Sequence, residues 1–136
     1  MILKRLTGRD DDGGKHAQGM QLPPVDEIPE EYFYTVAKVG DIGPGEMKYV
    51  EAGKNDDPIV LINVDGEFFA LTDTCTHEEA SLSDGEIIGD EIECPLHGGA
   101  FEIRTGLPVS FPVVVPARIY PVRVTGDDVQ IAVLPA

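Results

Sequence analysis

Both cysteines of this chain and two of its three histidines lie between Cys75 and His97. They form two short groups, Cys75-Thr76-His77 and Cys94-Pro95-Leu96-His97, with sixteen residues between them. Each group presents one sulfur and one imidazole from a single loop. Facing each other, the two loops offer two thiolates and two imidazoles to metal. The fold must therefore bring residues 75–77 and 94–97 together. Gly98 and Gly99 follow the second group, where backbone has to pass close to a bulky inorganic core, and Pro95 stiffens that loop.

Two metals suit this donor set. Tetrahedral zinc accepts two sulfurs and two nitrogens, but its structural sites usually pair like with like, Cys-x2-4-Cys and His-x3-5-His. A [2Fe–2S] centre in which histidines replace the cysteines on one iron takes the same four ligands. Here each half mixes one Cys with one His, so that each loop reaches both irons. The spacing favours the dinuclear centre, with zinc the remaining alternative.

In these residues the chain resembles the Rieske ferredoxins, and most of all the small ferredoxins of bacterial aromatic-ring dioxygenase systems. The likeness rests on Cys75-Thr76-His77 and on the run from Cys94 to Phe101. Ser81-Leu82-Ser83-Asp84-Gly85 and Arg104-Thr105-Gly106 add to it. It covers roughly residues 32 to 136. The resemblance implies one [2Fe–2S] cluster, with Cys75 and Cys94 on the inner ferric ion and His77 and His97 on the outer iron. It implies a soluble one-electron carrier, fed by a flavoprotein NAD(P)H reductase and discharging to a terminal oxygenase. High-potential members of the family place a serine and a tyrosine hydroxyl near the sulfurs and join the loops by a disulfide. The matching positions here are Gly99 and Phe101, and Ala80 and Leu96, which implies a low potential.

The chain of 136 residues is long enough for one domain. No apolar run approaches the ~20 residues of a membrane span, and the N-terminus turns polar at once, so the expected compartment is the cytoplasm. Two cysteines in such a protein read as metal ligands rather than a disulfide. Residues 1–31 carry Asp10-Asp11-Asp12-Gly13-Gly14, Pro23-Pro24 and Pro29, without periodicity. They read as an extended N-terminal arm, mobile or laid along the body or a partner, with His16 solvated in it.

From Tyr32 the chain reads as short strands broken by turns. The expected strands are Tyr32–Val36, Met47–Glu51, Ile59–Val64, Glu67–Leu71, Glu86–Ile88, Glu91–Glu93, Ala100–Ile103, Ile119–Val124 and Val129–Val133. Asp65-Gly66, Gly89-Asp90 and Gly126-Asp127-Asp128 supply hairpin turns. The expected fold is all-β: an antiparallel sandwich or barrel base, with a small cluster-binding lobe inserted at about 74–101. No helix is clearly signalled beyond a short turn near Glu78–Leu82. Phe111-Pro112-Val113-Val114-Val115-Pro116 is expected to cover one side of the cluster, with an edge strand as the plain alternative.

Acids outnumber bases 25 to 10, a formal charge of −15. From Asn55 to Ile103 there is no Lys or Arg and there are thirteen acids. Nucleic acid and anionic membrane are poor partners for such a surface, and a protein with a basic docking face is a good one. A monomer exchanging between partners is expected. The chain carries no oxygenase site of its own, because two histidines and a carboxylate are needed and only His16 remains. Nor does it hold a Gly-x-Gly-x-x-Gly nucleotide fingerprint. It is therefore read as a carrier, not an enzyme. A small subunit of an assimilatory nitrite reductase is the alternative, and a zinc-stabilised interaction module a remote one.

Overall fold

The computed structural model describes residues 21–53, 57–96 and 98–135. His16 and His97 lie outside the described residues, as does most of the N-terminal arm. Among the described residues there are eleven strands and no α-helix. They are β1 (Phe33–Lys38), β2 (Met47–Val50), β3 (Ile59–Val64), β4 (Glu67–Thr72), β5 (Glu86–Ile88) and β6 (Glu91–Glu93). After these come β7 (Ala100–Glu102), β8 (Pro108–Ser110), β9 (Ile119–Tyr120), β10 (Val122–Thr125) and β11 (Asp128–Ala132). All pairings are antiparallel, in three sheets ordered β1-β11-β10, β2-β3-β4-β9 and β5-β6-β7-β8.

The middle sheet organises the molecule. A strand sends alternate side chains to opposite faces. In β3, Val60, Ile62 and Val64 enter one core and Ile59 and Leu61 another, and the whole strand is buried. That is why its sequence is an unbroken apolar run rather than an alternating one. The same division continues next door: Leu71 and Ile119 face the first core, Ala70 and Tyr120 the second. The second core is completed by Ala37, Val129 and Ile131 from the β1-β11-β10 sheet. The first is completed by Cys75, Cys94, Ile92 and Phe101, so it lies against the cysteine loops. Asp65, at φ 53°, and Gly66, at φ 94°, turn the β3–β4 hairpin as the Asp-Gly pair predicts.

The third sheet and both cysteine loops are inserted between β4 and β9, and the sheet continues past Phe101 to β8. Sequence gave no warning of β8, since Pro108-Val109-Ser110 has neither alternation nor an apolar run. The strand expected over Ile119–Val124 divides at Pro121, which has no N–H to give a ladder. The turn expected near Glu78–Leu82 falls slightly later, as a 3-10 turn at Leu82–Asp84. Two more such turns, Val25–Glu27 and Glu30–Tyr32, shape the last part of the arm. There Ile28 is buried and Leu22 packs against the cluster-side core. Arg123 grips Glu30 with both terminal nitrogens, at 2.9 and 2.7 Å, and lies 3.7 Å from the Phe33 ring centre.

Candidate metal centre

The first loop leaves β4 on a chain of alternating positions. Phe69 and Leu71 of β4 face the cluster-side core, and Cys75, just past the end of that strand, lies in the same core. Three backbone bonds then fold the loop back on its start. Cys75 N–H donates to Ala80 O at 2.9 Å, Ala80 N–H to Glu78 O at 2.8 Å, and Leu82 N–H to Asp73 O at 2.7 Å. The Asp73 side chain adds a fourth, accepting Ser83 N–H on Oδ1 at 2.8 Å. Asp73 is 1% exposed, and its Oδ2 meets no hydrogen-bond donor among the described residues. Motif reading missed this carboxylate, although the alternation from Phe69 through Leu71 marks it as inward-facing.

The second loop leaves β6 and returns on β7. Cys94 N–H donates to Gly99 O at 2.7 Å, closing the turn that carries Pro95 and Leu96. Two glycines let the lobe close. A Cβ on Gly85 would overlap the carbonyl oxygen of Glu93, just before Cys94, and one on Gly99 would lie 2.7 Å from Val113 Cγ1. Gly85 is thus a steric requirement of its approach to Glu93, and Gly99 of the close passage of Val113. Gly106 is a third, its absent Cβ making way for Ala117 O.

The proline-punctuated stretch lies over the loops. Val113 is buried in the core that contains both cysteines, and Thr76 Oγ1 donates to Val115 O at 2.7 Å. Its other apolar side chains face out: Phe111 is 85% exposed, and Val114, Val115 and, on the second loop, Leu96 are exposed as well.

Of the four residues expected to bind metal, the structure brings together Cys75 and Cys94, both free and 4% and 3% exposed. Both belong to one buried cluster of side chains. Burial pushes the Cys94 thiol up, the Leu96 N–H works against that, and Cys75 and Glu78 push further upward. Two adjacent buried sulfurs resist ionising together unless positive charge sits with them, and metal supplies it. His77 is on the solvent side of the same loop. The donor chemistry therefore fits an iron–sulfur centre with its sulfur ligands inside and its first imidazole outside. His97 lies outside the described residues.

The Rieske [2Fe–2S] domain model matches residues 32–121. The chain belongs to the Rieske [2Fe–2S] family. The ferredoxin component of biphenyl 2,3-dioxygenase from Rhodococcus jostii is 44% identical over 96 residues, which are 71% of this chain and 88% of that one. Among solved structures, the complex of reduced oxygenase and oxidized ferredoxin in carbazole 1,9a-dioxygenase matches at 40% identity with a TM-score of 0.71. That match covers 76% of this chain and 94% of the other. The Sphingomonas yanoikuyae B1 ferredoxin matches at 38% identity and a TM-score of 0.71, over 74% and 98% of the two chains. As a Rieske ferredoxin the chain binds a [2Fe–2S] cluster and carries electrons; it is not itself an oxygenase.

Proposed function

We propose that this Rieske ferredoxin takes single electrons from a flavoprotein NAD(P)H reductase and delivers them to the terminal oxygenase of an aromatic-ring dioxygenase system. We assign Cys75 and Cys94 to the inner iron and His77 and His97 to the outer one. The observation that carries the assignment is the pair of adjacent buried thiols, Cys75 and Cys94, beneath an exposed His77. Bound there, the cluster accepts and releases one electron. The protein's own part is to hold the sulfurs away from water and to leave an imidazole edge at the surface as the electron's exit. Residues 32–136 act as the electron-transfer domain, and residues 1–31 as an appended arm whose last part is latched to it by Arg123.

The docking face is the cluster end of the lobe. Leu96, Phe111, Val114 and Val115 provide exposed apolar contact there, and Glu79 sits on the adjoining loop. A partner with a basic rim around an apolar centre matches that face. The protein works as a cytoplasmic monomer. The test is direct. Purified protein should be red-brown, with two irons and two labile sulfides. The dithionite-reduced protein should give an EPR spectrum whose average g lies below that of all-cysteine [2Fe–2S] ferredoxins. A colourless protein holding stoichiometric zinc would overturn the assignment.

A further inference from the structure

Strand β4 is six residues long, and β3 pairs with all of it. On its other side β9 pairs only with Ala70 and Leu71. The chain then leaves this sheet at the buried Pro121 and enters the β1-β11-β10 sheet as β10. The outer edge of β4 at Glu67-Phe68-Phe69 therefore has no partner strand among the described residues. An open edge carrying aromatic side chains is a template for another strand. Proteins blunt such edges with proline, with charge, or by laying a loop along them.

The last part of the arm lies on this side of β4. Leu22, Pro23 and Val25 form one wall of a groove whose other wall includes Phe68, Phe69 and Val122. Leu22 also packs against the cluster-side core, and Ile28 is buried. Arg123, on β10, holds the far end of the segment through its two bonds to Glu30. A new strand would have to lie about 4.8 Å from β4, on the side that this segment borders. The segment offers no replacement edge. Pro23, Pro24 and Pro29 have no N–H to donate, and Asp26, Glu27 and Glu30 add like charge. The Rieske domain model begins at residue 32, so the segment is an addition to that domain. We propose that residues 22–30 are an edge guard: latched by Arg123, they keep the open end of β4 from pairing with β4 of a second copy of this chain. The proposal does not depend on which metal the cysteine loops hold.

Sedimentation velocity over a concentration series tests it, on the full-length wild type, Arg123→Ala and the double variant Arg123→Ala with Leu22→Asp. Lys38→Ala is the control, since it loses an exposed ion pair with Asp128 that holds no part of the arm. Hydrogen exchange read by mass spectrometry follows two segments, residues 22–32 for release of the guard and residues 67–70 for the edge. Wild type and Lys38→Ala should stay monomeric. The double variant should exchange faster over 22–32 and self-associate at least about tenfold more tightly than wild type. It should gain protection over 67–70 as concentration rises, and Arg123→Ala should fall between the two. A double variant released over 22–32 yet as monomeric as wild type would overturn the proposal. So would association that leaves 67–70 unprotected, or a guard that stays in place in the double variant. If the double variant does not fold, Arg123→Ala decides by the same two readings.

Discussion

Cys75 and Cys94 belong to the same packed core as Val60, Leu71 and Phe101, so replacing either one by alanine removes a proposed ligand and a buried side chain together. The expected result is loss of visible absorbance and of lobe stability in the same variant, because metal binding at such a site is also folding free energy. Glu102→Ala should keep its colour: that carboxylate only accepts a local bond from Thr105 Oγ1 at 2.6 Å. A normal visible spectrum in either cysteine variant would refute the ligand assignment. The two hydroxyl positions now separate. Phe101 is fully buried in the core that contains both cysteines, and Phe101→Tyr should raise the potential by at most roughly 60–130 mV, the equivalent of one hydrogen bond to a charged acceptor. Gly99→Ser cannot report cleanly, since its Cβ would press on Val113 Cγ1. It should instead lower cluster occupancy, measured as iron per protein. At this scale the candidate ligands stood out in the sequence because cysteine is so scarce in the chain. The buried Asp73 did not, because one acid among twenty-five carries no signal until the loop is folded.

Strands β3 and β4 were visible as apolar runs, and the Asp65-Gly66 turn between them as a dipeptide. What sequence could not show is that β3 serves two cores, an arrangement that separates the effects of neighbouring residues. Leu61→Ala and Ile62→Ala should each cost about 2–5 kcal/mol in denaturant unfolding, as large-to-small changes at fully buried sites do. Only Ile62 faces the core that holds the cysteines, so only Ile62→Ala should also change the EPR line shape. Equal line shapes in the two variants would argue against the layered arrangement. The last part of the arm was legible only as prolines and acids, because its hold depends on Arg123, far away in sequence. The hydrogen bond from Arg123 holds the Glu30 carboxyl below its ordinary value of 4.5. A depressed folded value means the latch is complete above pH 4.5 and is lost as pH falls through that lower value. Hydrogen exchange at the Tyr32 N–H, which donates to Pro29 O at 3.1 Å, should therefore quicken on that acid side. Arg123→Ala should quicken it at neutral pH too. Unchanged exchange in that variant would show that the segment is held without the ion pair.

A carrier of net charge −15 meets its partners through a field as well as through contacts. The field speeds encounter, while on the proposed docking face the exposed Phe111, Val114 and Leu96 would set how well the docked pair fits. These two contributions respond differently to salt. At 0.15 M ionic strength the Debye length is about 8 Å, so only acids near the contact still act. Electron transfer to the oxygenase should slow as ionic strength rises, and Glu79→Lys, beside the exposed His77, should slow association and flatten that salt dependence. Phe111→Ala should weaken the complex mainly through faster dissociation and keep the full salt dependence. Stopped-flow rates across a salt series, with the wild type and these two variants, separate the field from the fit. A wild-type rate that is the same at low and high salt would remove the acids from docking and leave the apolar rim as the whole of the recognition.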